Sequence, residues 1–428
     1  MLKTDTEWLQ ARRMTTAPIL VALLVAHAAV AASFNVMDFG AAGDGATDDT
    51  AAFQVALDVA GAAGGGRVQV PTGRFYFESH LSVPAGVTLE GIWRAPVRNY
   101  PHDKGSSLFP TEGHGNASAT PFIALESGAG LANLSIFYPN QNGATAYPYT
   151  VQGKGRRCSI VNVNIINPWR AVDFGTYPCD EHLVKALWAE AIDVGIYIDQ
   201  SDGGRMEDVH FWPFWEVVKK DAKYANEQGI AFKIGRATNQ TAINCFAIFY
   251  QKSAHFADFG HGVGYGSYTN WYMDITPNAM TIDGVDATRG ISFTNCLLSS
   301  GVVINASNTG PVRLVGCSFG STEDQRFHIK AAGAGPVLVD SCFFSDRGAT
   351  ILDDNGWIDA ECSGITVTSS LFRSDHYDRV IVKLREQVRQ AVITANRLNR
   401  GIWIENLATD ADLTFNANVG PDEFEGAR

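Results

Sequence analysis

Residues 195–215 hold the densest group of side chains that could do chemistry. Ile196 and Ile198 alternate as the inward-facing residues of a strand do, which places Asp199 at the end of that strand and Asp202 in the turn that follows. Two carboxylates held on one face can act as general acid and as nucleophile or base when their surroundings separate their pKa values. We therefore expect Asp199 and Asp202 to be the catalytic pair of a glycoside hydrolase.

Other side chains near this pair are expected to assist catalysis or to bind the substrate. Asp180 or His210 would assist the carboxylates, and Arg205 would bind the substrate. Flat aromatic faces stack on sugar rings because they combine apolar burial with a directional π surface. We expect such contacts from four residues: Trp212, Trp215, Trp271 and Tyr272. The alternative is structural: the aromatic side chains cover exposed flanks of the fold, and the two aspartates make turn hydrogen bonds to the next repeat.

The elements that position these residues are short β-rich runs, each followed by a turn of small residues. Equivalent positions in these runs are Cys296, Cys317, Cys342 and Ser370, which recur every 21 to 28 residues. One coil of a parallel β-solenoid needs about that much chain, and successive coils stack roughly 4.8 Å apart. We expect these residues to form a stacked internal column, with the seven cysteines of the chain as free thiols.

Gly-punctuated strands without helical connectors exclude a doubly wound sheet and a TIM barrel. A β-propeller would need a period of about 40–50 residues and a repeated blade signature, and neither is present. The regular spacing fails at residues 94–121, 138–158, 216–241 and 251–290. We expect these insertions to form loops that wall a substrate groove.

The block at residues 34–77 begins with an alternating strand pattern at 34–39, followed by a helix. Thr47 is a good N-cap, and Asp48 and Asp49 then fall in the first helical turn, where the helix dipole favours acids. One face of the helix is apolar, with these residues: Phe53, Ala56, Leu57 and Ala60.

This block, with its pattern FGAAGDGATDDT, resembles the N-terminal segment of the pectate-lyase superfamily, including secreted bacterial proteins related to glycosyl hydrolase family 28. The resemblance implies an all-β fold, a single-stranded right-handed parallel β-helix with an N-terminal capping α-helix. Residues 34–80 would form the cap and the first strands, and residues 81–428 the β-helix with its loop insertions. The acids of the block would be structural.

Two further motifs resemble families of different activity. Gly260-His261-Gly262 resembles the Gly-His-Gly of polygalacturonases and implies a substrate-binding His261, although the upstream Asn-x-Asp and Asp-Asp pairs of that family are missing. Residues 177–182 resemble the Tyr-x-x-Asp-x-His of mannuronan C5-epimerases. That resemblance implies that Tyr177 and His182 exchange a proton at C5 of a uronate while Asp180 positions the substrate.

The sequence is therefore consistent with three functions. The first is a glycoside hydrolase, and the second is a uronate lyase or C5-epimerase, in which clustered acids could hold Ca²⁺. The third is a non-catalytic, tailspike-like glycan-binding β-helix. In each case the partner is a polysaccharide or an oligosaccharide.

Charge and targeting signals narrow the class of protein. A net charge of −12 argues against nucleic acid, because phosphate binding needs a basic surface. No C-x-x-C or H-x-x-x-H pattern occurs, so we expect no metal site and no resident cofactor. Residues 1–31 combine Arg12 and Arg13 with a short apolar run that ends in small residues, which indicates a signal peptide and a secreted or periplasmic protein without a membrane partner. The alternative for this run is a membrane anchor or a buried helix.

Overall fold

The computed structural model describes residues 33–92, 104–212, 221–320, 327–345, 356–375 and 379–420. Within these residues the chain winds as a right-handed parallel β-helix, so the predicted all-β solenoid is confirmed. Each coil contributes one strand to a thirteen-stranded parallel sheet. Its strands are Leu81–Val83, Ile123–Leu125, Tyr149–Gly153, Arg170–Phe174, Val194–Ile198, Ile230–Ile234, Lys252–Phe256, Asn278–Ile282, Val302–Ile304, Ile329–Ala331, Ile358–Ala360, Val380–Leu384 and Ile402–Asn406.

The rest of each coil pairs in a twenty-five-stranded sheet, again in parallel where coils stack. Its strands are Ser33–Asn35, Asp44–Asp48, Gly66–Gln69, Gly73–Phe77, Val87–Glu90, Ser106–Pro110, Gly130–Phe137, Ser159–Ile166, Leu183–Ala189, Arg205–Phe211, Gln240–Ile243, Phe246–Ile248, Gly266–Thr269, Tyr272–Asp274, Ile291–Thr294, Leu297–Leu298, Val312–Val315, Ser318–Gly320, Val337–Asp340, Phe343–Ser345, Gly364–Thr368, Leu371–Arg373, Gln390–Thr394, Arg397–Leu398 and Asp412–Asn416. A two-stranded sheet joins Ser201–Asp202 to Ala237–Thr238.

A tight corner splits the larger sheet in many coils, at a residue in the left-handed conformation. Asn244, Asn270 and Asn295 occupy this corner in successive coils with φ of 57°, 55° and 56°. Asn tolerates this conformation, and here each amide also donates to the corner residue of the preceding coil, Asn270 to Asn244 at 3.1 Å and Asn295 to Asn270 at 2.8 Å. The corners therefore stack as an external amide ladder.

The residue after each corner turns into the solenoid interior. Cys245, Cys296, Cys317 and Cys342 occupy this position and are buried, and Ser370 continues the column. Their side chains donate to backbone carbonyls nearby, such as Cys342 Sγ to Leu314 O at 3.4 Å. The predicted internal column is confirmed, and all seven cysteines are buried and free.

Helix α1, Thr50–Ala62, packs Phe53, Ala56, Leu57 and Ala60 against the first coils, as the apolar pattern predicted. Its start differs from the prediction. Asp49 is the N-cap residue and Asp44–Asp48 is a strand, because Asp49 turns inward and accepts hydrogen bonds from the N–H groups of Ala42 and Gly43.

The strand predicted at 34–39 is also wrong in part. Only Ser33–Asn35 is extended, and Val36–Phe39 forms a 3₁₀ turn that Asn35 caps by accepting from Met37 N. A second helix, α2, spans Asp221–Gln228. The predicted signal peptide at 1–31 lies outside the described residues, and none of the helices they contain has the length and apolarity to cross a bilayer.

Candidate functional site

The outer face of the thirteen-stranded sheet carries a column of polar side chains. Strand register aligns Gln152, Asp173, Tyr197, Lys233 and His255 on five successive coils. They alternate with inward-facing apolar residues, so all five project from the same face. This part of the column brings an acid, a phenol, a lysine and a histidine within four coil spacings.

Asp173 is fixed at one end of the column. Its carboxylate accepts from Gln152 Nε2 at 2.7 Å and from the N–H groups of Gly175 and Thr176 at 2.9 and 2.8 Å. The side chain is 1 % exposed. These donors compensate for the burial of the carboxyl group and fix its position.

Asp199 follows the strand Val194–Ile198, as the sequence predicted, and it is fully buried. Oδ1 accepts from the N–H groups of Gln200 at 2.9 Å and Arg236 at 2.7 Å. Oδ2 accepts from the Tyr197 hydroxyl at 2.9 Å and lies 2.8 Å from His261 Nδ1. Burial, together with hydrogen bonding to Asp199, raises the pKa of Tyr197, so the phenol stays protonated.

Gly235 permits this arrangement. A Cβ at Gly235 would lie 2.7 Å from Asp199 Cγ, which is closer than nonbonded carbon atoms approach. The next coil therefore needs glycine here to pass beside the buried carboxylate.

His261 sits at the tip of the connection between the strands Lys252–Phe256 and Gly266–Thr269. Asp258 shapes the tip by accepting from the N–H groups of Gly260 and Gly262. Gly260 has a φ of 113°, which other residues rarely adopt. The His261 side chain remains 42 % exposed while its Nδ1 meets a carboxylate that is 0 % exposed.

The hydrogen-bond chemistry assigns the tautomer of His261. An ionised carboxylate offers only acceptors, so Nδ1 carries the proton and the neutral ring has its lone pair on Nε2. The arrangement makes His261 an oriented, solvent-facing base with a buried carboxylate behind it.

Lys233 lies in the middle of the column. Its Nζ is 4.5 Å from the centre of the Tyr197 ring and 4.4 Å from that of Phe259. Burial lowers its pKa, with a smaller contribution from the positive charge of Arg170. Among the described residues Lys233 forms no ion pair, which leaves a half-buried ammonium available to an anionic ligand.

A second histidine–carboxylate pair lies one coil further on. His255 Nε2 is 2.7 Å from Asp283 Oδ2, and Asn305 donates to the other oxygen of Asp283. Burial lowers the pKa of His255. Phe259 packs edge-on against both His255 and Tyr197. It therefore contacts the histidine of the second pair and the tyrosine that donates to Asp199 of the first.

The structure brings together Asp199 and His261, which the sequence analysis placed in different motifs. Within the described residues, no hydrogen bond joins Asp202 to Asp199 or to His261. Asp202 is exposed and accepts from Thr238 Oγ1 at 2.7 Å and Asn239 Nδ2 at 2.8 Å, and these bonds lower its pKa. Asp180 accepts from Asp202 N at 2.9 Å. Asp202 therefore makes the turn hydrogen bonds to the next coil that the structural alternative predicts, and Asp199 makes one as well, by accepting from Arg236 N.

The residues of the epimerase-like motif differ in their exposure to solvent. Tyr177 is 44 % exposed, whereas His182 is fully buried in the solenoid interior. His182 Nδ1 lies 2.9 Å from Cys179 O and 3.1 Å from Ser201 Oγ, and burial lowers its pKa to about 4. In this position the His182 ring makes no contact with the outer surface, where a polysaccharide would lie.

The predicted aromatic contacts fall on a different face. His210, Phe246 and Tyr272 stack in register along the twenty-five-stranded sheet, with ring centres 5.0 and 5.4 Å apart, and Trp212 lies 6.2 Å from Phe246. Trp271 is fully buried against Phe232, so it packs the core and has no surface for a sugar. Arg205 is exposed at the start of the strand Arg205–Phe211, and Trp215 lies outside the described residues.

The sequence analysis missed Tyr197, Lys233 and His255. A signal was present, because each alternates with apolar residues at 196/198, 232/234 and 254/256 and so had to face outward. Among the described residues there is no group of three His, Cys, Asp or Glu side chains that could hold a metal ion.

The solenoid, with its column of polar side chains on one sheet, defines the chain as a pectate-lyase-like β-helix. A family model for rhamnogalacturonase A/epimerase, pectate lyase-like proteins matches residues 33–310, and the chain belongs to this family.

Individual relatives are more distant. The chain is 67% identical over 42 residues to mannuronan C5-epimerase AlgE3 of Azotobacter vinelandii, a match that covers 10% of this chain and 2% of that protein. The A-module of mannuronan C-5 epimerase AlgE6 from the same organism has a TM-score of 0.56 at 13% identity, over 91% of this chain and 100% of the module. Gene product 12 of bacteriophage phi29 has a TM-score of 0.62 at 12% identity, over 90% of this chain and 55% of that one. These two structural likenesses show the fold.

Proposed function

We propose that this protein is a carbohydrate-active enzyme that abstracts the C5 proton of a uronate in an acidic polysaccharide. The observation that carries the proposal is the buried Asp199 holding the exposed His261 by Nδ1. Lys233, whose Nζ lies over the Tyr197 ring, forms no ion pair with any residue that the structure describes. Family membership and the epimerases among the relatives support a polysaccharide substrate.

Proton abstraction next to a carboxylate needs a base and a positive charge. His261 Nε2 takes the C5 proton, and the electron pair of the C5–H bond delocalises onto the uronate carboxylate. Lys233 stabilises the charge that develops there, and its partly apolar surroundings strengthen that interaction. Asp199 stabilises the imidazolium, and Tyr197 acts as a positioning residue by holding Asp199 Oδ2.

Two outcomes share this step. In a lyase the C4–O bond then breaks, a C4=C5 double bond forms, and the departing oxygen takes up a proton. In a C5-epimerase a proton returns to C5 from the opposite face. The geometry at His261 supports the shared step, and the product distinguishes the two enzymes.

Hydrolysis by Asp199 and Asp202 has less support. A glycosidase of this type needs one protonated carboxyl as general acid. Asp199 is fully buried and accepts from the Tyr197 hydroxyl and two backbone N–H groups, so it presents no oxygen to a glycosidic bond at the surface. The hydrogen bonds to Asp202 lower its pKa, which disfavours the protonated form that a general acid needs. The proposal also places the reaction at His261 and Lys233 in preference to Tyr177, Asp180 and His182, because His182 is buried.

The test is a panel of polymannuronate, polygalacturonate and neutral glucans incubated with the protein in D₂O. For one polyuronate we expect deuterium at C5 if the enzyme is an epimerase, or an ultraviolet-absorbing C4=C5 product if it is a lyase. His261→Gln should lose whichever signal the wild-type protein gives, whereas His80→Gln, which alters an exposed histidine paired with Glu112, should keep it. New reducing ends without deuterium or absorbance would overturn the proposal in favour of hydrolysis, and inactivity with retained glycan binding would favour a tailspike-like protein.

A further inference from the structure

A second site lies on the other side of the connection that carries His261. The outward residues Thr241, Ser267, Ser292 and Arg313 align in register on the twenty-five-stranded sheet and form the floor of a cleft of about 330 Å³. Tyr265, at the end of the connection, and Arg289, from the following one, form its wall.

The charge of this cleft is opposite to that of the chain. Ten residues line it, and none of these is Asp or Glu, although the chain has 45 acids and a net charge of −12. Arg289 and Arg313 are its two charged residues. Neither guanidinium forms an ion pair with any residue that the structure describes, whereas Arg157, Arg170 and Arg385 each bond to a carboxylate.

Both arginines are held in place by contacts that leave positive charge exposed. The guanidinium of Arg289 lies 4.6 Å from the centre of the Tyr265 ring, and Arg313 Nη1 donates to the backbone oxygen of Arg289 at 2.9 Å. A cation–π contact and a carbonyl contact orient guanidinium groups without neutralising them. Two like charges in one cleft repel, and an anion bound between them would relieve that repulsion.

The remaining lining chemistry fits a sugar. Asn239, Thr241 and Ser292 offer an amide and hydroxyl groups beside the two guanidiniums. A planar carboxylate or a sulfate ester matches the paired N–H groups of arginine, and hydroxyls pair with the ring substituents of a saccharide.

We propose that this cleft is an anion subsite that binds an acidic saccharide through Arg289 and Arg313. The subsite lies on a different sheet from the polar column of Tyr197, Lys233 and His255, and it rests on the proposed function only for the class of substrate. The anionic group is a carboxylate or a sulfate ester, and the experiment distinguishes them.

The test measures binding by calorimetry with three probes: a galacturonate tetramer, a sulfated galactan tetramer and maltotetraose. It uses the His261→Gln protein, so that no probe is turned over. Arg289→Gln and Arg313→Gln should each weaken binding of one acidic probe by about tenfold, as expected for loss of a charge-assisted hydrogen bond. The matched control is Arg397→Gln, at an exposed position, and it should bind the acidic probes as tightly as the parent protein does. Maltotetraose carries no anionic group and should not bind in the cleft of any variant.

Each outcome of this experiment either supports or overturns the proposed subsite. Weakened galacturonate binding identifies a carboxylate site, and weakened sulfated galactan binding identifies a sulfate site. Unchanged binding of both acidic probes in the double variant, or no binding of either probe to the parent, overturns the proposal. Loss of binding on arginine substitution, with neither C5 exchange nor unsaturated product from the wild-type protein, would support this subsite while the proposed reaction fails. A C5 exchange or an unsaturated product from the wild-type protein, with binding unchanged by the arginine substitutions, would support the proposed reaction and overturn the subsite.

Discussion

Asp199 Oδ2 lies 2.8 Å from His261 Nδ1, a contact that joins two residues 62 positions apart in the sequence. The carboxylate is buried beneath the loop tip, and the imidazole is at the surface. This contact sets which ring nitrogen carries the proton, so a change at the buried residue should act through the exposed one.

Asp199→Asn tests that relationship. The amide can keep an oxygen toward the two backbone N–H groups, but its NH₂ would then face His261 Nδ1 and favour the tautomer protonated at Nε2. The base is then lost, and kcat on a polyuronate should fall at least about a hundredfold, with little change in KM. Steady-state kinetics measure this change.

The matched control is Asp202→Asn, which removes a carboxylate that only bridges coils through Thr238 and Asn239. Its kcat should stay within a few-fold of the wild-type value. If Asp202→Asn abolished activity and Asp199→Asn did not, the assignment of His261 as base would be lost.

Gly235→Ala tests whether the position of Asp199 matters as well as its charge. The new Cβ would lie 2.7 Å from Asp199 Cγ, so the carboxylate must move away from His261. We expect kcat to fall about tenfold or more, because small displacements of catalytic groups are costly.

Gly364→Ala is the control for this substitution. The nearest atom to its new Cβ, Gln390 O, is 3.9 Å away, so activity and melting temperature should not change. Full activity in Gly235→Ala would show that the coil shifts and the Asp199 contact survives.

Sequence reasoning reached the parts of this site that depend on local pattern. Alternation of Ile196 and Ile198 placed Asp199 at a strand end, and the spacing of the cysteines placed them in one internal column. It could not bring Asp199 to His261, because that contact depends on how coils of unequal length stack. Loops of different length separate the coils, and register between coils is set by the packed core and not by residue count.

The same limit applies to the predicted pairing of the two aspartates. Asp199 and Asp202 are three residues apart, and proximity in sequence favoured a shared site. The chain turns between them, so Asp199 points into the structure while Asp202 lies on the turn surface beside Asp180.

Lys233→Met should impair binding of acidic substrate. The side chain keeps its length and its packing on Tyr197 and Phe259 but loses its charge. We expect kcat/KM on a polyuronate to fall about ten- to a hundredfold, the range for a hydrogen bond to a charged group. Lys233→Arg should recover part of the loss.

Comparison with a carboxyl-reduced, neutral form of the polymer separates charge from packing. Binding of the neutral polymer should be the same in wild-type and Lys233→Met proteins. The exposed Lys154→Met variant controls for net charge, and an equal loss there would exclude a specific role for Lys233.

His328→Phe should stabilise the solenoid, most strongly in acid. The His328 ring is fully buried, packs edge-on against Trp357 and lies near Phe319 and Phe344, and neither ring nitrogen has a partner among the described residues. Burial lowers its pKa from the usual 6.5 to about 3. Between those values the unfolded chain binds a proton that the folded protein does not, so His328 costs stability as the pH falls through this window.

Phenylalanine fills the same space and does not titrate. At pH 7 the free energy of unfolding should rise by about 1 kcal/mol, because two unsatisfied buried nitrogens are removed. At pH 5 the gain over the wild-type protein should be larger by about 2 kcal/mol, since each pKa unit corresponds to about 1.4 kcal/mol. Urea denaturation at the two pH values measures both differences, and His80→Phe, at an exposed position, should show neither. An unfolding free energy for His328→Phe that ran parallel to the wild-type curve from pH 7 to pH 5 would mean that His328 is hydrated in the folded protein.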